Sequence, residues 1–195
     1  MKKKIILLST IAAAVFLSCN NPQTNESNDT GEMYSKETAE EHNDAKFDNK
    51  TEDDAQFVVN AAYNHLTTIS LCDLAIMRAT HNDVRELANS IHAQHSKANR
   101  ELEEIASQKG ITMPTLQDKE NMEYKNLESK TGTEFDKAFY DKIVGLQKDA
   151  IDMYQEANTD LADSQLRDYA SHQLPTIRVQ LDRSMDNQKV AENWE

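Results

Sequence analysis

The sequence predicts an all-α fold, an antiparallel four-helix bundle with a short extra helix between helices 2 and 3. Three observations lead there. The 195 residues include only 4 Gly and 3 Pro, too few turn formers for a sandwich or barrel of many short strands. Apolar residues recur at 3-4 spacing in four segments of about 25 residues, each roughly 38 Å long as a helix. The connections between these segments are short, which makes successive helices antiparallel neighbours.

Ahead of the bundle the chain reads as an address. Lys2, Lys3 and Lys4 precede an apolar run from Ile5 to Leu17, a secretory h-region too short to span a bilayer. The run ends in Phe16, Leu17, Ser18 and Cys19, which resembles the lipobox of bacterial lipoproteins. That resemblance implies a signal peptide over 1–18 and a lipidated Cys19. Asn20 stands where inner-membrane retention calls for Asp, so the same resemblance favours the outer membrane, with the domain in the periplasm or on the cell surface. From 19 to 52 the composition is Asn, Thr, Ser, Glu, Asp and Lys with few apolar residues. It is expected to be a disordered tether with a reach of roughly 30 Å.

The folded domain is expected over 53–190, followed by a tail, 191–195. The first helix, from about Asp53 to Thr80, would bury Phe57, Ala61, Ile69, Ala75 and Ile76. The second carries Val84, Leu87, Ala88, Ile91, Ala98, Leu102, Ile105 and Ala106 on one stripe, with Asn82 or Asp83 as N-cap and Gly110 as its C-terminal stop. A modest helix from Asp118 to about Glu128 follows. Thr133 with Asp136 three residues on resembles a capping box for the third long helix, whose stripe is Phe135, Phe139, Ile143, Leu146, Ala150, Met153 and Ala157. The fourth starts near Asp163 and carries Leu166, Ala170, Leu174, Ile177, Leu181 and Met185, with a kink expected at Pro175.

Charge narrows the partners. With 21 Lys+Arg against 34 Asp+Glu the formal net charge is −13, which disfavours nucleic acid and charge-driven docking on anionic lipid. Membrane association is expected through the lipid on Cys19 instead. Apart from Cys19 the single thiol is Cys72, which sits among Leu71, Leu74 and Ala75 as a buried, inert residue.

No constellation for catalysis is present. The chain lacks a His-Glu-x-x-His helix, a Gly-rich phosphate loop, a Gly-x-Ser-x-Gly elbow and a cysteine pair. No histidine follows a Glu by three, as di-iron bundles require. His42, His81 and His172 read as solvated, and His92 as peripheral to the stripe. His95 falls between Ile91 and Ala98 on the core-facing stripe. Gln147 and Gln180 lie beside the stripes of the third and fourth helices as interface glutamines, and Tyr63, Tyr140, Tyr154 and Tyr169 read as core-edge aromatics whose hydroxyls reach water.

Several pieces together resemble a family of exported helical proteins, domain-of-unknown-function family 4142. They are Asp54-Ala55-Gln56-Phe57, Leu71-Cys72-Asp73-Leu74-Ala75, His95 followed by Asn99 and Leu102, Phe135-Asp136 followed by Tyr140, and Leu174-Pro175-Thr176. The resemblance covers about Asp54 to Gln188 and implies a ferritin-like bundle. It also implies a family ligand set of Glu, His, His and His, one from each long helix. In this chain those positions fall on Thr68, His95, Gln147 and Gln180, so His95 alone is retained as a metal ligand where a transition metal takes three or four. The expected result is a degenerate site, a hydrogen-bonded polar core without a resident cofactor. The sequence therefore reads as a non-enzymatic, lipid-anchored binding or structural module with an unidentified envelope partner. The alternative is a metal-binding or redox ferritin-like protein using His95 and nearby carboxylates. A hydrolase, lacking any nucleophile and base pair at useful spacing, ranks last.

Overall fold

The computed structural model describes residues 34–48, 51–115 and 121–194. The signal segment 1–18, Cys19 and the first part of the expected tether lie outside the described residues. Those described form six helices and no strand: α1 (Lys36–Asp44), α2 (Glu52–Arg78), α3 (Asn82–Lys109), α4 (Met122–Glu128), α5 (Gly132–Asp160) and α6 (Ser164–Ala191). The long helices pair α2 with α3 and α5 with α6, while α2 also meets α5 and α3 meets α6. The extra helix is present as α4 against α2 and α5, but it starts at Met122 and not near Asp118, because Asn121 caps it by accepting from Tyr124 N–H. No described helix is long and apolar enough to cross a membrane.

The expected tether is corrected over 34–48. Ser35 caps α1 by accepting from Thr38 N–H at 3.1 Å, and Ala39 and Asn43 are buried. Asn43 holds the chain after α3 with two bonds, Nδ2 to the Thr112 carbonyl at 2.9 Å and Oδ1 from the Thr112 N–H at 2.8 Å. The Lys46 ammonium reaches the Gly110 carbonyl. Composition misled here because α1 is fixed by paired amides more than by apolar area. Gly110, at φ 66°, supplies the left-handed turn that ends α3.

Two buried aspartates tie the helical hairpins to each other. Asp54 on α2 accepts from the N–H groups of Ala162 and Asp163 in the turn before α6, at 3.0 and 3.1 Å. Asp136 on α5 accepts from Thr80 N–H at 3.0 Å, His81 N–H at 2.9 Å and His81 Nδ1 at 2.6 Å in the turn before α3. In each turn an arginine also binds carbonyls: Arg85 that of Ala79, Arg167 those of Leu161 and Ala162. Asp54 and Asp136, Phe57 and Phe139, and Arg85 and Arg167 all stand at one constant sequence offset. The fold is thus a helical hairpin used twice, each copy capping the turn of the other. This corrects the caps read from sequence. The N-cap of α3 is His81 and that of α5 is Thr131, neither making a side-chain cap bond, and Asp136 serves the neighbouring turn instead of a capping box.

Other expectations are revised by the phase of the buried faces. Ile69, Ile76, Leu146, Met153 and Leu181 are only partly buried and Met185 is exposed, while Tyr140, Tyr154 and Tyr169 are buried, not core-edge. His81 is not simply solvated: besides Asp136 it stacks on Trp194 at 3.7 Å. Trp194 is thereby packed, so the expected tail is in contact with the fold. α6 runs unbroken through Pro175.

The apolar core is divided. One cluster joins Ala55–Ala62 of α2 to Leu102–Ile111, Ala150–Leu161 and Leu166–Ile177. The other joins Leu71–Ala79 to Val84–Ile91, Leu127, Phe135–Ile143 and Ala191. The stretch of α2 between them is buried and polar: Asn64, His65, Thr67, Thr68 and Ser70. His95, Gln147, and Gln180 with Ser184 occupy the corresponding places on α3, α5 and α6.

Candidate functional site

This polar layer has two imidazoles at its centre. His65 and His95, 1% and 3% exposed, face each other with Nδ1 to Nδ1 at 3.0 Å. His65 Nε2 meets the hydroxyls of Tyr169 at 2.8 Å and Tyr154 at 2.9 Å, and Tyr169 donates to the Ala98 carbonyl at 3.2 Å. One side chain of α2 thus reaches α3, α5 and α6.

The Nδ1 contact couples the two tautomers. Both rings being neutral, a hydrogen bond between their Nδ1 atoms requires one ring to carry its proton there and the other to carry it on Nε2. A proton moved on or off at the tyrosine end is therefore mirrored at His95 Nε2. Burial keeps both rings neutral: it pushes His95 down to about 4, with the Gln180 side chain beside it working the other way. His65 is lowered by burial and then by the neighbouring His95. Burial likewise holds the Tyr154 and Tyr169 hydroxyls well above their usual range, and that of Cys72 raises its thiol. The thiol is enclosed in the second apolar cluster.

The residues singled out by sequence are buried in this layer, with different partners from those expected. Thr68 and Gln147 are each 1% exposed and Gln180 5%, so the glutamines are not interface residues open to water. Gln180 Nε2 donates to Gln94 Oε1 on α3. No protein partner meets Thr68 Oγ1, His95 Nε2, either amide atom of Gln147, or Gln180 Oε1. His95 bonds to His65, which sequence reasoning gave no role. The signal was present, since His65 follows Ala61 by four and precedes Thr68 by three. His65 lies at helical spacing from Ala61, Ile69 and Ile76, on the stripe expected to be buried, and the stripe is described by its apolar members alone.

The layer contains no carboxylate. Among the described residues the buried carboxylates are Asp54 and Asp136, both used at the helix turns and neither bonded to His95. Among the described residues no three His, Cys, Asp or Glu side chains come together to hold a metal ion. The site is chemically a set of imidazoles, amides and hydroxyls enclosed between two apolar cores.

Fold and site together define a helical protein with a neutral, hydrogen-bonding interior. The chain matches the family described as Domain of unknown function (DUF4142) over residues 37–186, and it belongs to that family. The match takes in all of α1 but its first residue, consistent with α1 being part of the folded domain. No curated protein and no solved structure matched the chain.

Proposed function

We propose that this chain is a lipid-anchored envelope protein, held in the outer membrane through Cys19, whose ferritin-like four-helix bundle is a non-enzymatic binding or structural module with a degenerate polar core. The observation that carries this reading is the neutral polar layer drawn from all four long helices. A transition-metal centre would call for three or four imidazole, thiolate or carboxylate ligands. At the positions where the family resemblance implies four ligands, this chain presents Thr68, His95, Gln147 and Gln180, a set that keeps polarity and gives up charge.

His95→Leu is the direct test. Loss of the imidazole strands the facing His65 Nδ1, and an unpartnered buried polar group costs about 1–3 kcal/mol. The substitution should lower stability by that amount in urea denaturation. Elemental analysis of protein purified without chelator and reloaded with iron, zinc or manganese should find no stoichiometric ion in either form. Unchanged stability would sink the polar-core reading. The specific observation favouring a second reading, a metal-binding protein, is that His65 gives His95 a neighbouring imidazole; metal that is bound by the wild type and lost in His95→Leu would establish it.

The anchor has its own test. Intact-mass measurement of the protein from a bacterial envelope should show chain beginning at Cys19 with added acyl mass, and Cys19→Ser should abolish the addition. A mature chain of unmodified mass would remove the anchor from the reading.

A further inference from the structure

A groove of about 410 Å³ runs between α3 and α6, lined by Gln94, Lys97, Ala98, Glu101, His172 and Thr176 among others. A neighbouring hollow shares Glu101 and His172 and adds Glu104, Asp168 and Tyr169. The floor of this surface is the roof of the polar layer. Gln94 in the groove is bonded to buried Gln180, which lies beside His95. Ala98 in the groove takes the Tyr169 hydroxyl, which is bonded to His65. Solvent and the layer are therefore separated by one glutamine pair and one turn of α3.

The layer's chemistry specifies what it would accept. Six buried polar atoms of Asn64, Thr68, His95, Gln147 and Gln180 have no protein partner. A buried polar group without a partner is destabilising, so a guest that meets several of these atoms is held by them. Three are amide oxygens, which can only accept, and two of these have a fixed orientation. Asn64 Nδ2 is committed to the Leu146 carbonyl, leaving Oδ1 free, and Gln180 Nε2 is committed to Gln94, leaving Oε1. Gln147 Nε2 is the only obligate donor among the six. A guest must therefore bring several donors. An anion would find too few donors and would approach a chain of net charge −13. A divalent metal would find no carboxylate. Across the groove and the neighbouring hollow together, Glu101, Glu104 and Asp168 outnumber Lys97 in charge and favour a cation at the mouth.

We propose that the polar layer binds a primary ammonium group admitted from the α3–α6 groove past the Gln94–Gln180 pair. The inference rests on the binding-module reading above and adds its ligand class. Two sources share this chemistry, the free ammonium ion and the terminal amine of an alkylamine, whose chain would lie along the groove over Glu101.

The test is isothermal titration calorimetry of the full-length protein with ammonium chloride and with putrescine, ionic strength being held by potassium chloride. At least one probe should bind saturably, at least tenfold more weakly in Gln180→Leu. Glu101→Gln should weaken putrescine several-fold and leave ammonium unchanged if the alkylamine is the fitting source; saturation by ammonium alone assigns the free ion. Should Gln180→Leu fail to fold, the 15N shift of the His95 imidazole in the wild type decides, moving with added ammonium chloride if the inference holds. No saturable binding of either probe up to about 10 mM, or binding unaltered in folded Gln180→Leu, overturns it. Failure of both probes while His95→Leu still lowers stability removes the ligand and leaves the polar core in place. Unchanged stability in His95→Leu removes the polar core itself.

Discussion

Acidifying the protein from pH 7 to pH 4 is expected to lower its stability by about 3 kcal/mol through His95 alone. An unfolded imidazole takes up its proton near 6.5, whereas folded His95 does so only at about 4. Between those values the unfolded chain holds more protons, so stability falls as pH falls. This contribution is complete above about 6.5 and gone below about 4. His65 is shifted in the same direction and steepens the slope. The groups packed on the pair are Tyr154, Tyr169 and Gln180, none of which ionises in this window to offset the effect. The measurement is a series of urea unfolding curves on wild type and His95→Gln. The variant should lose about 1.4 kcal/mol per pH unit of slope between 6.5 and 4. Equal slopes in the two proteins would show that His95 is not held neutral by the fold.

Replacing Asp136 by Ala should cost about 3 kcal/mol. The carboxylate is fully buried and accepts from two backbone N–H groups and the His81 ring. Bonds to charged groups contribute about 1.5–3 kcal/mol each, while half-exposed His81 can recover part of its loss from water. Asp136→Asn should fall in between, because its amide presents one acceptor and sets donors against donors. Asp54→Ala should act similarly at the opposite end of α2, and the two losses should add, since the sites share no partner. A denaturation midpoint shifted by less than about 0.5 kcal/mol equivalent in Asp136→Ala would mean that the cross-capping of the turns does not stabilise the fold.

Much of this architecture was legible in the sequence. The α3 stripe from Val84 to Ala106 is buried throughout, because that helix is amphipathic with one narrow apolar face, and Gly110 marks its end. α2 was read less well. It packs against α1, α3, α4 and α5, so its buried face is broad and periodicity does not fix its phase. That is why Ile69 and Ile76, only partly buried in the fold, are expected in the core, whereas His65 on the same stripe is passed over as a polar residue among apolar ones. The cross-capping by Asp54 and Asp136 was hidden for a different reason. Local rules assign an aspartate to the nearest helix start, whereas these two act on turns far away in sequence. Of the polar layer, Thr68, His95, Gln147 and Gln180 could be named from sequence, but not their bonding. The pairing of His95 with His65 and of Gln180 with Gln94 depends on which helices adjoin.

The central claim is that the core of this protein holds a neutral, hydrogen-bonded histidine pair where a charged or metal-binding centre could stand. Imidazole 15N NMR of the full-length protein over pH 8 to 4 tests it most directly. The account predicts two of the six histidines neutral below pH 5, in opposite tautomers, one protonated on Nδ1 and the other on Nε2. Titration of both near 6.5, or the same tautomer in both, would contradict it.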